Sequence, residues 1–131
     1  MATKKHKEYF ISDELYNTIY YIGIGTEKQA NEAFRKLFKV KAKDFSIGRE
    51  NSNFCIFVAD VNPVNFIWFN EIDFENYLLK SIEIIQHELH HAVFETFDYA
   101  GVKISLDNHE HFNYYFSYIF NKIFKILSKD N

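Results

Sequence analysis

The chain is 131 residues long, 47% hydrophobic and 19% aromatic, with a net charge of −3. That length fits one domain, residues 1–131, with a core of its own. The single cysteine, Cys55, rules out an internal disulfide framework and suits a reducing compartment. The basic start Met1–Lys7 is not followed by an apolar run of signal-peptide kind, and no stretch is long enough to span a membrane, so the expectation is a cytoplasmic chain with no membrane partner.

In chain order, residues 1–7 read as a flexible tail. Tyr9-Phe10-Ile11 reads as a short strand pairing with a second, Tyr16–Ile24, that is rich in Ile and Tyr and closed by Gly23 and Gly25. Thr26 can cap a helix from Glu27 to about Val40, with Ala30, Ala33, Phe34, Leu37 and Phe38 on its inner face. Lys41–Ser52 is polar and reads as a loop. Asn53–Val61 is almost continuously apolar, the pattern of a central strand buried on both faces, with Cys55 as a buried thiol. Asn62-Pro63 marks a turn, and Asn65–Phe69 reads as a last strand at the edge of a cleft.

From Phe74 to Phe97 there is neither Gly nor Pro. Phe74, Leu78, Ile82, Ile85, Leu89, Ala92, Val93 and Phe97 recur at close to a 3.6-residue period, which predicts a helix with Asp73 as N-cap and Gly101 as its stop. Within it lies His87-Glu88-Leu89-His90-His91, an H-E-x-x-H pattern. Residues four apart on a helix share a face, so His87 and His91 can present two imidazoles to one metal ion, while Glu88 can serve as a general base. His90 points to another face. The bland alternative is a helix surface that happens to carry histidines.

A catalytic zinc ion takes three protein ligands and keeps one position open. The metzincin continuation needs Gly at position 94 and His at 97; the chain has Phe94 and Phe97. A carboxylate from a second helix is the alternative. Phe112–Leu127 has a helical stripe of Phe112, Phe116, Ile119, Phe120, Ile123, Phe124 and Leu127, and Glu110 stands in its first turn. Glu110 is therefore the candidate third ligand, although Asp107-x-x-Glu110 is also a capping box. His109, His111 and Tyr114 are candidates for steadying an oxyanion. Glu95 continues the His87–His91 row and suits a hydrogen-bond acceptor behind an imidazole.

The pattern His87-Glu88-x-x-His91 followed by Asp107-x-x-Glu110-x-Phe112-x-Tyr114 resembles the gluzincins, over about residues 74–127. It resembles in particular small, phage-encoded metallopeptidases of one domain. The resemblance implies Zn²⁺ held by His87, His91 and Glu110, with Glu88 as base; it does not imply a substrate, and a peptide or protein substrate is the expectation that goes with metal-assisted hydrolysis. It implies a minimal zincin-like α+β fold, a small mixed sheet packed on the motif helix and the C-terminal helix. Some gluzincins carry an Asp four residues after the ligand Glu, where this chain has Tyr114. A non-catalytic alternative goes with the same resemblance: a virion or assembly protein, partnered by phage structural proteins, with a structural or vestigial metal site.

Charge is distributed unevenly. Lys28–Arg49 holds seven basic and two acidic residues, whereas Phe69–Asp98 holds seven acidic residues and one lysine. Because the total is acidic, the basic stretch reads as a solvated face, and nucleic acid is not an expected partner.

Overall fold

The structure, a computed structural model, describes residues 5–41, 53–59 and 62–130. Seven elements follow in order: β1 (Lys7–Asp13), β2 (Thr18–Ile24), α1 (Glu27–Phe38), β3 (Phe54–Val58), β4 (Val64–Phe69), α2 (Leu78–Ala100) and α3 (His109–Asp130). The four strands form one sheet in the order β1-β2-β4-β3. β1 is antiparallel to β2, β2 is parallel to β4, and β3 is antiparallel to β4. The architecture is thus α+β with a mixed sheet, in agreement with the alternating and continuous apolar runs of the sequence.

Two cores lie on opposite faces of this sheet. On one, α1 brings Ala30, Ala33 and Phe34 against Tyr21, Phe66 and Trp68. On the other, Ile85, Leu89, Ala92, Val93 and Phe97 of α2 and Tyr115, Ile119, Ile123 and Leu127 of α3 cover Tyr20, Ile22, Ile67 and Phe69. Alternate residues of one strand serve opposite cores because side chains alternate across a sheet. Gly23 is the point of closest approach: a Cβ there would lie 2.2 Å from the Trp68 ring.

The caps show how local sequence sets the boundaries. Thr26 and Gln29 form the capping box of α1. Gly101 ends α2 with φ +76°, its N–H bonding to Asp98 and that of Val102 to Phe97. Asp73 does not cap α2. It accepts hydrogen bonds from the backbone and side chain of Asn76, organising a turn of its own, and α2 starts one turn later behind Tyr77. At the start of α3, Asn108 accepts from the Ser105 amide and hydroxyl, and Asp107 donates its amide to the Ser105 hydroxyl. Hydrogen bonds around Asn108 and Ser105 thus occupy the place where the sequence suggested an Asp107–Glu110 box.

Three expectations are corrected. Lys7 is the first residue of β1, paired with Ile24, so it does not belong to a tail. β3 is the edge strand and is only half-buried, whereas β4 is the central one and is almost wholly buried. Apolar content alone could not separate them; the parallel pairing of β4 with β2 decides it. Cys55 is half-buried on that edge strand, not sealed in a core. The loop expected at Lys41–Ser52 falls almost entirely outside the described residues.

A buried polar chain crosses the α2 side of the sheet. Tyr115 donates to Asp13 (2.6 Å), Tyr20 donates to Tyr115 (2.7 Å) with its hydroxyl oxygen 3.3 Å from that of Thr96, and Asn65 donates to Thr96 (2.8 Å). Thr96 in turn donates to the Ala92 carbonyl one turn back. This chain ties β1, β2 and β4 to both long helices, and sequence periodicity gave no sign of it. Burial raises the Tyr20 hydroxyl pKa to about 12, which keeps it a neutral link.

The tight Gly23–Trp68 approach makes a clear stability prediction. Gly23→Ala should cost about 1–3 kcal/mol because either the indole or the strand must shift. A fall in the urea midpoint with an unchanged slope is the expected reading; an unchanged midpoint would contradict the packing described.

Candidate active site

α2 presents three different faces, and the H-E-x-x-H residues divide among them. Ile85, Leu89, Ala92 and Val93 are buried against the sheet. On one flank, His90 packs against α3, its ring 4.2 Å from that of Phe116, with its Nδ1 2.7 Å from the Gln86 carbonyl. On the other flank, His87, Glu88, His91 and Glu95 line a cleft of about 280 Å³ together with Asn53, Phe54, Cys55 and Phe57 of β3 and its approach. The motif therefore faces β3, the edge strand of the sheet among the described residues.

The geometry of the pair is that of a two-point clip. The rings of His87 and His91 lie 5.0 Å apart, centre to centre, at 78°. Two imidazoles on one tetrahedral zinc, with Zn–N of about 2.0–2.1 Å, hold their ring centres roughly 5 Å apart, a spacing that this pair shares. His87 is well exposed, with 69% of its side chain open to solvent. Glu88 is not: the residue is only 5% exposed, and its Oε1 lies 3.9 Å from His87 Nε2. Burial raises its carboxyl above the ordinary glutamate range, partly offset by His87 and His91. A carboxylate held against a dry floor and aimed at a histidine pair is a suitable proton acceptor. The Cys55 thiol in the same cleft is pushed upward by burial and by the carboxylates of Glu88 and Glu95, so it is held as neutral thiol.

The remaining sequence candidates lie elsewhere. α3 meets α2 through Phe112 and Phe116 against His90, Phe94 and Phe97, on the flank away from the cleft. Glu110 stands in its first turn with 67% of its side chain exposed and His109 Nδ1 at 3.5 Å. His111 bonds the Tyr16 hydroxyl and stacks on Phe97. Tyr114 is exposed on the outer side of α3. None of these four lines the His87–His91 cleft. Glu95 does, but no hydrogen bond joins it to His91 among the described residues. It also sits two turns, about 12 Å of rise, beyond His87, too far to join both histidines on one ion. Among the described residues no three His, Cys, Asp or Glu side chains are grouped to hold a metal. The structure thus brings together two histidines and a carboxylate, and Glu110, expected from its sequence position and from the resemblance as the third donor, does not line their cleft.

No protein-family model matches the chain, and no curated protein or solved structure is significantly similar to it. No helix among the described residues is long and apolar enough to cross a membrane.

Two measurements test this geometry. In zinc titrations, His87→Ala and His91→Ala should each weaken binding at least about ten-fold, since a two-point clip loses half its donors, while Glu110→Ala should stay within about two-fold. A loss at Glu110 equal to that at the histidines would place its carboxylate on the ion. The second concerns pH in zinc-free protein. Glu88 has a raised folded pKa, so its burial carries no charge penalty below about 4.5, its unperturbed value, and the full penalty above its folded value. Glu88→Gln should therefore raise the melting temperature at pH 7–8, with the gain closing as pH falls through the glutamate range. A gain independent of pH would contradict the assignment.

Proposed function

We propose that the chain is a zinc-dependent peptidase of zincin-like design, with His87 and His91 holding the ion and Glu88 as general base. The observation that carries this reading is the cleft itself: an i, i+4 histidine pair with ring spacing suited to one ion, beside a buried carboxylate, against the edge strand of the sheet. The order of elements supports it too, with an antiparallel edge strand, a central strand and then the motif helix.

Zinc bound there supplies a polarising charge for a carbonyl and an acidified water. The work of the chain is then to place the other participants. The edge of β3, unpaired among the described residues, can receive an extended peptide by main-chain hydrogen bonding, which would lay its carbonyls along the His87–His91 face. Glu88, fixed by burial of its stem, accepts the proton of the attacking water and returns it to the leaving amine. With α3 docked as it is, His109, His111 and Tyr114 take no part in this step.

A second reading is an interaction protein without catalysis. Large apolar side chains stand exposed on the helices and the α2–α3 connection, among them Leu79, Phe94, Tyr99, Leu106, Tyr114 and Tyr118. Such a surface suits a protein partner. Hydrolysis separates the two. Zinc-loaded protein should cleave a quenched peptide library, and Glu88→Gln should lower the rate about 10²–10⁴-fold while retaining zinc. Stoichiometric zinc with no hydrolysis, or activity that survives Glu88→Gln, would reject the peptidase.

A further inference from the structure

The cleft holds one carboxylate that the proposed chemistry does not use. Glu95 lines it beside His91, Cys55 and Phe57, is exposed, and has neither a hydrogen bond nor an ion pair among the described residues. Lys80, the one lysine between Phe69 and Asp98, lies at the far end of α2 and is engaged by Glu83 at 3.8 Å. Glu88 reinforces the negative field from below: it is nine-tenths buried, faces the cleft, and has no hydrogen-bond donor among the described residues.

β3 and α2 run side by side in the same sense. Asn53 shares a cleft with Ile84, His87 and Glu88, and the Phe57 ring lies 5.4 Å from that of Tyr99. Glu95 is one turn, about 6 Å of rise, beyond His91. On an extended peptide, side chains on one face recur about every 6.4–6.8 Å. A peptide lying along β3 with one residue level with His91 thus brings the residue two positions away to Glu95. We infer that Glu95 is a specificity-determining residue, receiving a lysine or arginine side chain of an extended polypeptide two positions from the residue seated at His91. This rests on the peptide-binding part of the proposed function, and not on hydrolysis.

The test uses the full chain carrying Glu88→Gln, with fluorescent eleven-residue peptides of alanine and serine in which a single lysine is moved through every position. Anisotropy at low salt should show one register in which lysine tightens binding about five-fold over alanine, the size expected for one partly exposed ion pair. Glu95→Gln should erase that preference, and Glu95→Lys should transfer it to peptides with glutamate in the same register. Circular dichroism checks that each variant folds. No binding, no preferred register, or a preference that survives Glu95→Gln overturns the inference. The unsubstituted zinc-loaded chain is then given the same peptides. Cleavage without lysine preference removes the role of Glu95 and keeps the peptidase. Glu95-dependent selectivity without cleavage does the reverse.

Discussion

The rotation of α2 about its own axis is the constraint on which the rest of this molecule depends. Each residue turns the helix about 100°, so fixing which side chains meet the sheet fixes the direction of all others. Ile85, Leu89 and Ala92 are fully buried against the sheet. That choice sends His87, Glu88 and His91 to the β3 flank and His90 and Phe94 to the α3 flank. Thr96 adds a polar latch, since it accepts from Asn65 and meets the Tyr20 hydroxyl from the same inner face. A rotation of α2 by one residue would expose the apolar stripe and leave Thr96, Asn65 and Tyr20 unpaired in a dry interior, where each lost bond costs on the order of 1–3 kcal/mol.

The same rotation explains why two histidines come together and a third donor does not. α3 follows α2 through a short connection and must cover the apolar flank bearing Phe97, which it does with Phe112, Tyr115 and their successors one turn apart. Its first turn is thereby held near the end of α2, on the flank opposite the cleft. Glu110 in solvent is a consequence of how much aromatic surface that flank has to hide. The half-buried ladder of Phe112, Phe116, Phe120 and Phe124, with successive rings about 6 Å apart, sets the docking of α3 more strongly than a single carboxylate could.

Much of this was legible in the sequence where the signal is local. The period of α2, the Gly101 stop, the Thr26 cap and the shared face of His87 and His91 all follow from spacing within one element. What was not legible depends on pairing between distant segments. Nothing in Phe54–Val58 says that it is an edge strand, or in Val64–Phe69 that it is central; the parallel register with β2 decides both. Cys55 reads as a core residue for the same reason, and becomes part of the cleft only because its strand ends the sheet. The chain Asp13–Tyr115–Tyr20–Thr96–Asn65 joins residues up to 102 positions apart, and its members look like ordinary strand and helix residues in sequence. Glu110 was placed by sequence distance and resemblance, and neither measures on which flank of α2 the next helix docks.

Glu88 sets the energetic balance of the site. A carboxylate that is nine-tenths buried is costly to the fold at neutral pH, because burial penalises its charged form. The two imidazoles beside it relieve only part of that cost, and only when they carry positive charge. A divalent cation on the same imidazoles would act in the same direction and more strongly, favouring the ionised carboxylate where the fold alone disfavours it. The cleft is thus a place where stability has been given up in a direction that a bound cation reverses.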